Sequence, residues 1–172
     1  YIAGYEAAGT VVEAGPDVPY RPGERVGFAD SPLANADLVA VPFERLIRLP
    51  DDVDFETAAA VLLQGLTAQY LVRDSHALAA GQSVLVHAAA GGVGLLLVQF
   101  AKLLGARVMG VVSRPEKAET TRRTGADAVA LYDEDWVAAA HRFAAGGVDV
   151  AYDSVGSTLH HSFEAVRTGG HV

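Results

Sequence analysis

A glycine-rich segment in the middle of the chain has the residue types and spacing of a phosphate-binding turn. The apolar run Ser83–His87 predicts a buried strand, and the turn after it leads into a long apolar segment ending at Gly105. The turn matches the dinucleotide fingerprint G-x-G-x-x-G as Ala89-x-Gly91-x-x-Gly94, with alanine at the first position. Gly91 would let a pyrophosphate approach the backbone, and Gly94 would let helix pack closely on strand. Strand, turn and helix in this order present backbone N–H groups and a positive dipole end to a phosphate.

The end of the next predicted strand indicates which dinucleotide such a turn would bind. The strand over 107–112 ends at Ser113, nineteen positions after Gly94, where this kind of unit meets the adenosine ribose. An acid at that point would bind the ribose hydroxyls of NAD, whereas here Ser113 is followed by Arg114 and Lys117. A hydroxyl and two cations favour the additional phosphate of NADP. In the alternative reading, the two cations only solvate the surface.

Three other groups have two readings each. Because ligands bind at the carboxyl ends of parallel strands, Ser154–Gly156 could admit a ribose or a nicotinamide, or Asp153 could simply cap the next helix. Tyr132 follows another strand and could stack near the adenosine end or cover the sheet. The polar segment Gln64–Thr67 lies in an apolar helical stretch, where it could line a cleft or let Gly65 pack closely.

Other catalytic classes find no support in the residue pattern. The six histidines have no metal-ligand spacing, and we expect His87 to be a hydrogen-bonded core residue. His160 and His161 are neighbours on a predicted helix and point to different faces. The chain contains no cysteine, which removes disulfides, thiolate metal sites and cysteine catalysis. No Ser-His-Asp set or pair of carboxylates stands out, so no catalytic residue and no metal ligand is assigned.

The elements that would position these groups alternate between strand and helix after residue 80. The predicted strands are 83–87, 107–112, 127–131, 148–152 and one starting at 171, and the predicted helices are 92–104, 115–124, 134–144 and 158–167. This alternation predicts an α/β domain, with a doubly wound parallel sheet and helices on both faces.

Residues 1–50 instead predict a small β-rich region. Turn signals separate short strands over Thr10–Ala14, Arg25–Phe28 and Ala36–Val41. A helix over 55–72, interrupted at Gly65, follows Asp54, which is a plausible N-cap. Both ends of the sequence look cut, so we expect the chain to be a piece of a longer protein.

The net charge, the apolar runs and the cysteine content limit the partners and the compartment that we expect. The net charge of −8 argues against nucleic acid as a partner. No apolar run reaches the length that spans a membrane, so no membrane partner is expected. The absence of cysteine fits a reducing compartment, and we expect a cytoplasmic location.

Five segments follow one another in a recognisable order along the chain: Gly4–Val12, Pro22–Val26, Gln64–Leu71, His87–Gly94 and Tyr152–Gly156. Together they resemble the medium-chain dehydrogenase/reductase superfamily, and within it the zeta-crystallin-type NADPH:quinone reductases. The resemblance implies an α/β Rossmann domain preceded by part of a β-rich GroES-like barrel. The expected domains are 1–52 (partial GroES-like catalytic domain), 53–79 (connecting helix region) and 80–172 (Rossmann NADP-binding domain, truncated at its C-terminus).

The same resemblance implies a zinc-free enzyme. Zinc members carry Gly-His-Glu where this chain has Gly4-Tyr5-Glu6, and the cysteines of their zinc sites are absent. Without a Lewis acid a simple alcohol is a poor hydride donor, whereas a quinone or conjugated enone needs less polarisation. The implied function is therefore hydride transfer from NADPH to a quinone or similar conjugated acceptor. Two alternatives stay open: an enoyl-thioester reductase acting on an acyl-CoA or carrier-bound double bond, and a non-enzymatic, crystallin-like NADPH-binding protein.

The resemblance also implies a set of cofactor-binding residues. They are Thr67, Tyr70, Ser154, Val155 and Gly156 for the nicotinamide end, Ala90, Gly91, Gly92, Val93 and Gly94 for the pyrophosphate, and Ser113, Lys117 and Tyr132 for the 2′-phosphoadenosine end. The full-length protein is expected to be a homodimer or homotetramer. Because the resemblance covers about half of a typical member, activity of the chain alone stays open.

Overall fold

The computed structural model describes residues 2–172 and divides them into two compact units, the first ending at Leu66 and the second comprising Thr67–Val172. The first unit contains a small antiparallel sheet with strand order β1-β2-β3. Its strands are β1 (Ala7–Thr10), β2 (Arg25–Phe28) and β3 (Leu46–Arg48). A 3₁₀ turn, Phe43–Arg45, leads into β3. The small antiparallel region and the bounds of β2 confirm the sequence prediction.

Two of the predicted strands in this unit are wrong. Of the strand predicted over 10–14, only Thr10 lies in β1, which pairs with β2 through Ala7–Thr10; beyond it, Val11 still bonds to the partner segment, with Val11 N–H donating to Glu24 O at 3.0 Å and Gly23 N–H donating to Val11 O at 2.9 Å. Residues 36–41 form no strand. The second neighbour of β2 is β3, which pairs with it through Leu46–Arg48.

A long helix leads from the first unit into the second. Helix α1 (Phe55–Tyr70) begins after Asp54, whose Oδ1 accepts from Thr57 N–H at 2.7 Å, so the predicted N-cap is confirmed. The helix is continuous through Gly65, contrary to the predicted interruption, and a π-helical turn over Leu71–Ser75 extends it. The domain boundaries expected at 52 and 79 stay a prediction.

The second unit is a doubly wound α/β fold, as predicted. Its strands are β4 (Ser83–His87), β5 (Arg107–Val112), β6 (Ala128–Leu131), β7 (Val148–Tyr152) and β8 (Val166–His171). They form one parallel sheet in the order β6-β5-β4-β7-β8. The helices are α2 (Gly92–Leu103), α3 (Pro115–Arg123), α4 (Trp136–Phe143) and α5 (Leu159–Ala165).

Each face of this sheet carries its own apolar core, so the fold is built of three layers. Val84 and Val86 of β4 join a core with Val98 of α2, while Leu85 faces the other side and packs in a core with Trp136 of α4. All five residues of β4 are buried, as expected for the central strand of a parallel sheet. The carboxyl ends of β4, β5, β6 and β7 therefore meet at one edge, where ligands bind in such folds.

The end of the chain differs from the prediction. Helix α5 ends at Ala165 instead of 167, and β8 runs from Val166 to His171 instead of starting at 171. Gly169 and Gly170 give β8 weak strand propensity, and its backbone is held by parallel pairing with β7, in which Val148 lies opposite Val166 and Val150 opposite His171. Among the helices of the described residues 2–172, none has the length and apolar character required to cross a membrane.

Candidate functional site

The glycine-rich turn leaves a helix N-terminus open at the carboxyl edge of the sheet. Ala88 leaves β4 with a φ of 47°, and Gly91 N–H donates to Ala88 O at 2.8 Å, which closes the turn. Gly91 is the N-cap of α2 and supplies no side-chain cap, and the first helical bond runs from Leu95 N–H to Gly91 O at 2.8 Å. The N–H groups of residues 92–94 therefore have no acceptor within the helix and are available to an anion.

Close packing explains both the glycine at position 94 and the alanine at position 89. A Cβ built at Gly94 would lie 2.8 Å from Ala89 Cα and would also collide with Ala88 O. The Ala89 methyl group is itself accommodated by Gly110 of β5, where an added Cβ would lie 2.8 Å from Ala89 Cβ. The glycine of the neighbouring strand thus makes room for the alanine that replaces the first glycine of the fingerprint.

The structure brings Ser113 and Lys117 together at the end of β5. Lys117 Nζ donates to Ser113 Oγ at 3.2 Å, and both residues are exposed to solvent. Arg114 is the N-cap of α3, and Pro115 occupies the first helical position, where its missing N–H costs nothing. A cation and a hydroxyl therefore stand side by side where the sequence predicts them.

Tyr132, which the resemblance also assigns to the 2′-phosphoadenosine end, contacts the start of the glycine turn and the end of β4. Its hydroxyl accepts from Ala88 N–H at 2.8 Å and lies 3.1 Å from His87 Nδ1, and its ring stacks on the His87 ring. The hydroxyl is thus directed at the base of the glycine turn, and burial raises the pKa of its phenol. Tyr132 covers the end of β4 and ties that strand to the turn.

A buried polar network continues from His87 to Asp153 at the end of β7. His87 Nε2 lies 3.0 Å from Ser162 Oγ, which in turn donates to Asp153 Oδ2 at 2.7 Å. The structure thereby confirms His87 as a hydrogen-bonded core residue, and burial lowers its pKa, with Asp153 acting weakly in the opposite sense. Sequence reasoning missed Ser162, because the sequence does not show that α5 buries Ser162 and Ala165 while Leu159 and Phe163 stay exposed.

Asp153 organises the loop that follows β7. Its Oδ1 accepts from the N–H groups of Val155 at 2.8 Å and Gly156 at 3.1 Å, and Thr158 Oγ1 donates to its Oδ2 at 2.8 Å. Burial acts to raise the pKa of Asp153, but the hydrogen bonds from Ser162, Thr158 and the loop outweigh it and hold the pKa at about 2. The carboxylate therefore shapes the loop before the helix begins, which is more than the helix cap considered from sequence.

A cavity of about 320 Å³ opens beside this network. It is lined by Tyr132, Trp136, Val155, Ser157, Thr158 and His161. Sequence reasoning missed Trp136, Ser157 and His161, because the sequence does not show that α4 and α5 flank the same loop. Val155 and Tyr132 line the same cavity, although the resemblance implies opposite ends of a dinucleotide for them.

Thr67 and Tyr70 lie on the last turns of α1. Tyr70 is exposed over 55% of its surface, whereas Ala68 is buried. The adjoining π-helical turn is tied to the sheet, because Tyr152 OH donates to Leu71 O at 3.2 Å. A Cβ built at Gly65 would meet nothing within 4 Å, so no described residue needs a glycine there for close packing.

The Gly4-Tyr5-Glu6 segment lies in the first unit. Glu6 Oε2 accepts from Leu63 N–H of α1 at 2.9 Å, and Tyr5 is exposed over 52% of its surface. In the described residues 2–172, no group of three or more histidine or acidic side chains is arranged to hold a metal ion.

Comparison with known proteins relates the chain to a family of reductases. Residues 92–172 match the family model described as zinc-binding dehydrogenase. The chain is 44% identical over 172 residues to a quinone oxidoreductase of Pseudomonas aeruginosa, covering 97% of this chain and 53% of that protein. It is 42% identical over 176 residues to a 2-haloacrylate reductase of a Burkholderia species, covering 98% of this chain and 53% of that protein. The chain thus spans about half the length of these curated relatives.

A solved structure supports the same relationship. The Escherichia coli quinone oxidoreductase complexed with NADPH superposes with a TM-score of 0.92 at 36% sequence identity, covering 99% of this chain and 57% of that chain. The similarity therefore extends over both units of the described chain and agrees with the fold predicted from sequence.

Proposed function

The chain belongs to the medium-chain dehydrogenase/reductase superfamily, and from that premise we propose that the whole protein transfers a hydride from NADPH to a quinone or similar conjugated acceptor without zinc. The observation that carries the proposal is the open N-terminus of α2 near the strand end at which Lys117 contacts Ser113. These two features match the two anionic groups of NADPH, the pyrophosphate and the 2′-phosphate. NADPH supplies the hydride, and the residues of this chain bind and orient the cofactor.

The pyrophosphate seat is the segment Ala90–Gly94. Its support is that α2 starts at an uncapped Gly91 and that Gly94 has no room for a side chain. A phosphate can therefore approach the first turn closely and receive hydrogen bonds from its free N–H groups, aided by the helix dipole.

Lys117 and Ser113 provide the selectivity for NADPH over NADH. The Lys117 ammonium and the Ser113 hydroxyl lie 3.2 Å apart, so both can donate to the same phosphate. Neither Ser113 nor Arg114, the two residues after β5, is the acid that would bind the 2′-hydroxyl of NAD, and Arg114 adds a second positive charge.

We assign the adenosine to the cavity between Tyr132 and Val155. Its aromatic and apolar lining suits a flat base, and its position at the carboxyl edge matches the rule for parallel sheets. Tyr132 then serves as a wall and as an anchor of the turn, since its hydroxyl is already bonded to Ala88 N–H. The loop Ser154–Gly156, of which Val155 lines this cavity, is then assigned to a cofactor ribose, and Thr67 and Tyr70 stay assigned to the nicotinamide end.

The acceptor class follows from the residue types at the Gly4-Tyr5-Glu6 segment. A phenol at position 5 is a poor zinc ligand compared with imidazole, the Glu6 carboxylate is engaged with Leu63 N–H, and the chain has no cysteine. An acceptor that is already electron-poor needs no Lewis acid to take a hydride. Quinones and conjugated enones fit this requirement.

The oligomeric state, the cytoplasmic location and the lack of nucleic-acid binding expected from sequence stay predictions.

The test is cofactor discrimination by the intact protein. We expect it to oxidise NADPH with phenanthrenequinone, and Lys117→Ala to weaken NADPH binding by about 10-fold or more while leaving NADH binding nearly unchanged, because one charge-assisted bond to phosphate is lost. Arg122→Ala is the matched control, since Arg122 is an exposed cation in the last turn of the same helix. Equal losses for both cofactors would overturn the phosphate assignment, and no turnover with any quinone would overturn the acceptor class.

A second candidate is reduction of an activated carbon–carbon double bond. It is favoured by the 42% identity to a 2-haloacrylate reductase, whose name indicates a conjugated acid as its substrate. NADPH oxidation with crotonyl-CoA but not with quinones would favour this candidate. The reverse pattern would exclude it.

A further inference from the structure

Five polar groups form one continuous hydrogen-bonded chain between the glycine turn and the loop after β7, with the buried His87 and Ser162 at its centre. Tyr132 OH makes the first two links, with Ala88 N–H at 2.8 Å and with His87 Nδ1 at 3.1 Å. Ser162 Oγ makes the last two links, with His87 Nε2 at 3.0 Å and with Asp153 Oδ2 at 2.7 Å. His87 is the centre of this chain, because each of its nitrogens serves one half.

Elementary chemistry fixes the direction of every link. Ser162 has one hydroxyl proton, and its shortest and charge-assisted bond goes to the Asp153 carboxylate, so Ser162 Oγ accepts from His87 Nε2–H. His87 Nδ1 is then the unprotonated nitrogen and accepts from Tyr132 O–H. Tyr132 Oη in turn accepts from Ala88 N–H, which can only donate. A single histidine tautomer satisfies all four bonds.

Burial makes the links on both sides of His87 costly to lose. His87 is exposed over 2% of its surface and Ser162 over 0%, and Trp136 closes over the histidine with its ring edge-on at 4.9 Å. No buried side-chain nitrogen or oxygen of the described residues lacks a hydrogen-bond partner. Removing the Tyr132 or the Ser162 hydroxyl therefore leaves a buried nitrogen of His87 without a partner and without water to replace it.

The two ends of the chain lie in the two segments that the proposed function assigns to the cofactor. Ala88 starts the turn that leads to the free N–H groups of α2, and it holds a left-handed φ of 47° that is unfavourable for alanine. Asp153 holds Val155 and Gly156 through their N–H groups. We propose that His87 is a positioning residue that couples the pyrophosphate turn to the loop after β7, so that both segments hold their binding geometry together.

The coupling is tested with a double-mutant cycle on the intact protein. Tyr132→Phe removes the link on one side of His87 and keeps the aromatic ring, and Ser162→Ala removes the link on the other side. We expect each single variant to weaken NADPH binding by about 5- to 10-fold. The double variant should bind NADPH no more weakly than the single variant with the lower affinity, because the chain acts as a unit. Effects that multiply would overturn the coupling.

Ser83→Ala is the matched control for a merely structural role. Ser83 is also buried and donates to a carboxylate, Asp149 Oδ2, at 2.8 Å, but it lies at the opposite end of β4. We expect this variant to lower the melting temperature as much as Ser162→Ala and to leave NADPH affinity unchanged. An equal loss of affinity in Ser83→Ala would mean that general loosening, and not the His87 chain, sets the geometry.

Amide exchange separates this inference from the proposed function on which it rests. Without any cofactor, Ser162→Ala should speed hydrogen–deuterium exchange in the peptide containing Ala88–Gly94, although Ser162 does not contact that turn, and Ser83→Ala should not. Unchanged exchange in Ser162→Ala would overturn the coupling even if NADPH binds. Failure of the wild-type protein to bind NADPH, together with faster exchange in Ser162→Ala, would overturn the function and retain the coupling.

Discussion

Gly94 and Ala89 are in such close contact that the first turn of α2 rests directly on the backbone at the end of β4. A Cβ built at Gly94 would lie 2.8 Å from Ala89 Cα and 2.9 Å from Ala89 C. The obstacle is main chain and not a flexible side chain, so no rotamer change relieves it. This contact sets the distance between the helix N-terminus and the sheet, and with it the place where a phosphate meets the free N–H groups.

Gly94→Ala is expected to destabilise the protein and to impair cofactor binding. The methyl group must push α2 away from β4, which costs about 1–3 kcal/mol as in other overpacked cores. Thermal unfolding measures the stability, and titration with NADPH measures the affinity. An unchanged melting temperature would mean that the turn adapts easily and that glycine is not required there.

Gly65→Ala is expected to have the opposite effect on stability. Gly65 lies inside α1, and a Cβ there would meet nothing within 4 Å. Alanine should therefore raise the unfolding free energy by about 0.5–1 kcal/mol through helix propensity alone. If a ligand approaches the helix at Gly65, the same variant should bind NADPH or the quinone more weakly while melting higher. A variant that is both more stable and equally active would assign no ligand contact to Gly65.

Asp149 is expected to make the free energy of unfolding depend on pH in the acid range. Burial acts to raise its pKa, but hydrogen bonds from Ser83 and Arg167 and the charge of Arg167 outweigh it and lower the pKa from 3.8 to about 2. Because the folded-state pKa is depressed, its stabilisation, about 2 kcal/mol, is fully present above pH 3.8 and is lost as the pH falls towards 2. Urea unfolding at pH 5 and pH 2.5 should show the loss in the wild type and much less of it in Asp149→Asn.

His87 should remain neutral below the pH at which an ordinary histidine charges. Burial lowers its pKa from 6.5, so the fold favours the neutral form, and the stability this gives is present above pH 6.5 and is lost as the pH falls through the lowered pKa. Trp136, the single tryptophan of the chain, reports on it because the two rings are 4.9 Å apart and a charged imidazole quenches indole fluorescence.

The measurement is a fluorescence titration in a His161→Gln background, because the His161 ring also contacts the Trp136 ring, with 6.0 Å between the ring centroids. The expected quenching has a midpoint below pH 6.5, and His87→Gln should abolish it. A midpoint above 6.5 would show that Asp153, 4.0 Å away, governs the charge of His87 more strongly than burial does.

Much of the second unit could be predicted from sequence because its signals are local. The glycine turn lies between a wholly apolar strand and an apolar helix, and the spacing from Gly94 to Ser113 fixes where the second strand ends. The first unit was harder, because its strands are short and pair through residues with weak strand propensity, as at Ala7–Thr10. There, only the partner strand decides which residues form the sheet.

The buried network could not be predicted, because its members are distant in sequence. His87 and Ser162 are 75 residues apart, and His87 and Tyr132 are 45 apart, so nothing local links them. The cavity shared by Tyr132 and Val155 was missed for the same reason. Their positions after predicted strands identified Tyr132 and Val155 as candidates, but only the order of strands in the sheet brings them to one edge.

The central position of β4 has a consequence for the order in which the chain folds. It is the first strand of the second unit in sequence, yet one of its neighbours, β7, contains Asp149, which pairs with Ser83 from 66 residues away. During synthesis, one edge of this apolar strand stays open until β7 emerges, and such parallel, long-range pairing is slow and exposed to aggregation. Substitutions at Asp149 should therefore reduce the fraction of newly made chains that reach the native state, in addition to weakening those that do.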